Sequence, residues 1–200
     1  MKRFCLLPAL LIASVMSVKA QNTDSDFKPF KVDLSLGYAI PGGSGAKSGV
    51  LFAIEPKYAV NEIVTLGLRM EAAVVARGYS GWDDSDGEVD VKASGSYVLT
   101  GDHYFSSNYS FRPFAGVGAG IYTIAAASVS DGGDAVAGEA SSKFGGLFRA
   151  GFEAGHFRVG AEYNLVPSSK LQDINGGGTI TSKNGYIGIK LGVCIGGGPR

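Results

Sequence analysis

The chain has 200 residues, with 18 Lys and Arg against 18 Asp and Glu, 18% charged residues overall and 31 glycines. Ordinary soluble domains carry about 25% charged residues and about 7% glycine. Length suits one domain with a leader. The balanced charge excludes the clustered basic face that nucleic-acid binding requires. A glycine-rich chain poor in both charge and proline is built for tight turns and close backbone packing, not for disorder.

The first twenty residues differ in kind from the rest. Lys2 and Arg3 open the chain, and residues 4–18 are largely apolar. Val18 and Ala20 set small residues before Gln21. This is the layout of a cleaved secretory signal peptide over residues 1–20, leaving 21–200 as the mature domain. The leader carries Lys2, Arg3 and Lys19 and no acid, so the mature chain holds 15 basic and 18 acidic residues. Cys5 falls in the leader, which leaves Cys194 as the one mature thiol and no internal disulfide.

No later apolar stretch suits a spanning helix. The longest, 113–127, is interrupted by Gly116, Gly118 and Gly120, each costing a helix about 1 kcal/mol relative to Ala. Eight segments with period-two alternation run along the chain instead: 31–40, 50–60, 63–79, 91–105, 111–125, 143–154, 157–167 and 181–195. In the first, Val32, Leu34, Leu36, Tyr38 and Ile40 share one face, opposite Lys31, Asp33, Ser35, Gly37 and Ala39. The fifth, rich in Gly and Ala, has no distinguishable faces. Most segments reach the roughly 9–11 residues with which a tilted strand crosses a bilayer.

The connections alternate long and short. Residues 41–49, 80–90, 128–142 and 168–180 are long and polar, while 61–62, 106–110 and 155–156 are short. That asymmetry belongs to an antiparallel membrane barrel with short periplasmic turns and longer outer loops. In this topology Tyr38, Tyr79, Trp82, Tyr122, Phe144, Tyr163 and Tyr186 fall toward the outer rim. Phe30, Tyr58, Tyr104, Phe105, Phe111, Phe114 and Phe157 fall toward the periplasmic rim, as interfacial aromatic belts do.

Pro56-Lys57-Tyr58 before the Asn61-Glu62 turn, Arg112-Pro113-Phe114 with its following glycines, and residues 186–192 (YIGIKLG) resemble the OmpA/OmpX-type family of small outer-membrane β-barrel proteins. The resemblance implies an all-β, eight-stranded, up-and-down transmembrane barrel in a Gram-negative outer membrane, and the placement of His103 and His156 favours a non-enzymatic one. Many such barrels end in an aromatic residue; this chain continues past Ile195 into Gly196-Gly197-Gly198-Pro199-Arg200.

If the apolar faces meet lipid, Asp33, Glu55, Lys57, Arg69, Glu71, Arg77, Asp102, Arg149, Glu153, Arg158, Glu162 and Lys190 point inward. In so narrow a barrel they must pair with one another, which predicts a plugged polar core with at most a thin water path.

Other motifs are weaker. Residues 41–48 resemble a phosphate-binding loop, but Ala46 precedes Lys47 and a strand comes next where a helix is needed. Residues 83–88 resemble a calcium loop, but Trp82 stands at its first ligand position and Ala93 at its twelfth. His103 follows Asp102, yet adjacent strand residues point to opposite faces. His156 sits in a turn, and Cys194 reads as packing. The sequence thus predicts no catalytic, cofactor or metal residues. The partners it predicts are outer-membrane lipid and, through the four outer loops, lipopolysaccharide or an extracellular ligand. A narrow channel or carrier for small apolar molecules, a lipid-modifying enzyme and a secreted soluble barrel stay open as alternatives.

Overall fold

The computed structural model describes residues 27–42, 48–78, 89–129, 135–137, 140–172, 179–182 and 184–198. The predicted leader, Tyr79, Trp82 and the phosphate-loop and calcium-loop look-alikes fall wholly or partly outside these residues. The barrel strands are β1 (Phe30–Pro41), β2 (Gly49–Ala59), β3 (Val64–Gly78), β4 (Val89–Tyr104), β5 (Arg112–Val129), β7 (Ser141–Ala154), β8 (Phe157–Leu165) and β11 (Tyr186–Gly196). Three short strands lie between them: β6 (Ala135–Ala137), β9 (Ser169–Gln172) and β10 (Thr179–Ser182).

Each barrel strand pairs antiparallel with its sequence neighbour among the eight, and β1 pairs with β11 from Lys31↔Gly196 to Pro41↔Tyr186. The sheet therefore closes on itself, leaving the eight strands no free edge within the wall. β6 extends the ladder of β5, and β9 with β10 forms a separate two-stranded ribbon. Thr181 and Ser182, which the sequence pattern joined to the eighth strand, belong to that ribbon, and β11 starts at Tyr186. The difference arises because Thr179–Ser182 pairs with Ser169–Gln172 instead of continuing the ladder with β1. At the β7–β8 turn, Gly155 takes φ 58°, a left-handed conformation that a glycine adopts without strain.

The two faces separate sharply by burial. Leu36, Leu99 and Leu191 are 67%, 67% and 65% exposed, whereas Arg69 is fully buried. Along β1 the outward set runs from Phe30 to Ile40. At about 3.4 Å per residue and a strand tilt of about 40°, that set covers roughly 25 Å of barrel height, the thickness of the apolar band of an outer-membrane barrel. Among the described residues no helix is long and apolar enough to cross a membrane.

Four aromatics assigned to the rims turn inward instead. Tyr104 and Tyr122 are fully buried, and Phe114 and Tyr186 are nearly so. Their phase along the strand decides this: Tyr104 is two residues from buried Asp102, and Phe114 and Tyr122 share the inward face of β5 with Arg112. The glycines at 116, 118 and 120 lie on that same inward face. A Cβ at Gly116 would collide with the Asp102 carboxylate, and one at Gly67 would meet Glu55 Oε1 at 2.7 Å. Glycine therefore makes room for long side chains inside the barrel. Tyr38, Phe144 and Tyr163 near one end, and Phe30, Phe105, Phe111 and Phe157 near the other, do face outward.

This arrangement predicts position-dependent costs for charge on the outer face. Leu36→Arg, near mid-height of β1, should lower unfolding free energy by about 2–4 kcal/mol, and Phe30→Arg at the rim by about 0–1 kcal/mol. Urea unfolding of the barrel refolded into liposomes measures both.

Candidate functional site

The chemistry-bearing side chains lie in the lumen and form three stacked charge layers. Each strand supplies every second residue, so neighbouring strands in register bring their inward residues to similar heights. Arg149 faces Gly116 on β5 and Glu162 on β8, for example.

At the end carrying the short turns, Glu153 is the hub. Lys31 Nζ lies 2.6 Å from Glu153 Oε2, Arg112 pairs with Glu153 Oε1, and Arg158 Nη1 stands 3.2 Å away. Tyr104 accepts from Lys31 Nζ at 2.8 Å and donates to Glu153 at 2.8 Å. The Arg112 guanidinium is sandwiched between the rings of Tyr104 and Tyr109, at 4.1 and 4.2 Å.

The middle layer joins Asp33, Glu55 and Asp102 to Lys57, Arg149 and Arg158. Arg149 forks onto both oxygens of Glu55 at 2.8 and 2.7 Å, and its Nε donates to Asp102 Oδ1 at 2.7 Å. Lys57 Nζ lies 2.5 Å from Asp33 and 3.0 Å from Asp102. Arg158 Nη2 donates to Asp102 at 2.8 Å, with its guanidinium 3.6 Å from the centre of the Phe114 ring. Thr100 donates to Glu55 at 2.5 Å.

The outer layer is a box of two acids and two bases. Arg69 and Lys190 each pair with both Glu71 and Glu162. Tyr186 donates to Glu71, Arg69 Nη2 donates to Asn164 Oδ1 at 3.0 Å, and Tyr122 donates to the same oxygen at 2.9 Å. Ser96 accepts from Arg69 at 3.2 Å.

Beyond this box the lumen turns apolar. Ala39, Leu51, Ala73, Val98, Leu147 and Val166 cluster with the rings of Tyr122 and Tyr186. Glycines seat them: a Cβ at Gly37 or Gly188 would meet the Leu51 methyl carbons at 2.8 and 3.1 Å. The two tyrosines thus have their rings in the apolar layer and their hydroxyls in the charge layer. The even polar lumen expected from alternation is replaced here by a greasy outer plug, because Leu51, Val98 and Leu147 stand on the inward phase of their strands.

Of the twelve residues the alternation placed inside, ten are buried and Lys190 is half-buried and paired. Arg77 stands opposite Asp90 in the β3–β4 ladder, and its side chain is outside the described residues. The network also includes Arg112, Tyr104, Tyr122 and Tyr186, which the inward set leaves out, and Lys31 and Asn164, which alternation places on the inward face without joining them to that set. Lys31 was legible, being two residues from Asp33. Arg112 was hidden by the ambiguous glycine pattern of its segment.

Asp33, Glu153 and Cys194 bring ligand atoms within 4.8 Å of one another, the one such trio among the described residues. Lys57 and Arg158 already occupy Asp33, and Lys31, Arg112 and Arg158 occupy Glu153. A divalent cation would have to displace them. His103 packs edge-on against Phe105 at 5.2 Å, and the His156 ring lies 2.9 Å from the carbonyl of Cys194.

A family model described as "Outer membrane protein beta-barrel domain" matches residues 8–193. Among solved structures, Neisserial surface protein A (NspA) is similar at 16% identity and a TM-score of 0.54, over 86% of this chain and 99% of that one. The outer membrane protein OprG from Pseudomonas aeruginosa is similar at 11% identity and a TM-score of 0.52, over 84% and 96%. Identities this low show a shared fold alone. No curated protein matches the chain by sequence.

Removing one partner of this network should cost far more than removing a matched pair. Arg149→Met leaves Glu55 without its fork and should destabilise the barrel by about 3–5 kcal/mol. The double variant Arg149→Met/Glu55→Met should recover a large part of that loss, since it leaves no stranded Glu55 charge. Equilibrium unfolding of the two variants against the parent checks the difference.

Proposed function

The chain belongs to the outer membrane protein beta-barrel domain family, and from that premise we propose that it is a closed, non-conducting and non-enzymatic scaffold. Its barrel fixes four outer loops at the cell surface for surface contact, envelope integrity or ligand recognition. A cleaved leader over residues 1–20 delivers it to the outer membrane. Its partners are outer-membrane lipid around the wall and lipopolysaccharide or an extracellular ligand at the loops.

The observation that carries this reading is the filled lumen. Arg69, Lys57, Arg149 and Asp102 are buried and mutually neutralised across the barrel, and an apolar plug lies above them. Moving an ion past them would require breaking several desolvated pairs at once. The carrier reading has less support. Small-molecule sites occupy about 300–1,000 Å³, while the mid-lumen cavity measures about 30 Å³. The enzyme reading finds His103 on the outer face against Phe105, across the wall from its neighbour Asp102.

Planar-bilayer recording of the purified barrel tests the proposal. The expected record has no reproducible unitary current steps. Steps of constant size, dependent on barrel insertion, would overturn it in favour of a channel.

A further inference from the structure

The mid-lumen cavity lies between the middle and outer charge layers. Ser35, Gly160 and Gly192 form a low wall on one side, where the strands carry little or no side chain. Glu55, Arg149 and Lys190 also line it. Its volume of about 30 Å³ is room for about two waters, since one water needs roughly 10–15 Å³ by this measure.

Asp33 also lines the cavity and is 4% exposed. Lys57 Nζ stands 2.5 Å from its Oδ2 and supplies opposite charge. Arg158 Nε stands 3.4 Å from the same oxygen, but Asp33 Oδ1 has no nitrogen or oxygen donor within hydrogen-bond reach. An ionised carboxylate offers about four acceptor sites, and leaving those of Oδ1 empty in a buried setting is costly. Voids lined by hydrocarbon stay dry, whereas voids lined by polar groups with spare acceptors hold water.

We propose that this cavity is a resident water site, in which one or two waters donate to Asp33 and join it to Glu55 and to the Lys190 layer. The water completes the hydrogen bonding that the side chains leave unfinished. It makes the two charge layers one connected network beneath the Leu51–Leu147 plug. The site stands apart from the loops' role, so channel activity of the parent protein would overturn the scaffold reading and leave this one untouched.

Two measurements decide it. A crystal structure of the barrel at a resolution that orders solvent should show water about 2.7–3.2 Å from an Asp33 oxygen; an empty cavity would refute the site. Gly160→Ala provides an independent readout. A Cβ there would meet Phe114 at 3.4 Å and the Ala150 carbonyl at 3.5 Å, ordinary contacts, so the methyl fits and enters the cavity. Gly95→Ala is the reference for the general effect of replacing glycine, since its Cβ meets nothing within 4 Å. If the cavity is wet, Gly160→Ala displaces water from Asp33, and its urea midpoint falls below that of Gly95→Ala. A midpoint above the Gly95→Ala value means that a dry void was filled, and the site does not exist.

Discussion

Closing eight strands leaves an interior that only side chains can occupy, and a charged side chain there has to find its opposite within reach. That constraint organises the rest of the molecule. Arg149 can fork onto Glu55 and still reach Asp102 because Gly116 and Gly67 carry no side chain where those groups lie. It also fixes strand register. A slip of one residue in β3 would send Arg69 and Glu71 into the hydrocarbon and bring Leu68 and Met70 into the lumen. The lumen and the lipid-facing wall therefore select the same pairing.

The lumen is not uniform along its axis. Three charge layers fill it from Glu153 to Arg69, and Leu51, Val98 and Leu147 fill the space above Arg69. Tyr122 and Tyr186 stitch the two regions, as tyrosine does where one end of a ring is apolar and the other polar. A barrel so packed has little conformational freedom in its wall. The proposed scaffold role then rests on the outer connections, because binding residues sit disproportionately on loops held by a rigid frame.

Period-two alternation carried most of this architecture. The strand number, the alternation of long and short connections and the inward set from Asp33 to Lys190 come from residue spacing and from the cost of charge in lipid. The features that alternation left illegible have physical causes. Tyr104, Phe114, Tyr122 and Tyr186 suit a membrane interface by residue type, and only their phase relative to buried neighbours turns them inward. Leu51, Val98 and Leu147 sit on the lumen phase, but residue type alone assigns apolar side chains to lipid. The strand of Arg112 is built of Gly and Ala, which fit either face. Which acid meets which base depends on stagger across the barrel, as in Lys31 reaching Glu153 from 122 positions away, and no local spacing records that.

The most direct measurement of the central claim is a spin-label scan of β1 from residue 32 to 38, one cysteine at a time, in a Cys194→Ser barrel reconstituted in lipid. The account predicts a period of two, with oxygen accessibility highest at Val32, Leu34, Leu36 and Tyr38 and low at the positions between. Labels at those four positions that report a polar collision reagent instead of oxygen, with lipid contact at Asp33, Ser35 and Gly37, would mean that the wall faces the other way and that the charge layers do not fill the lumen.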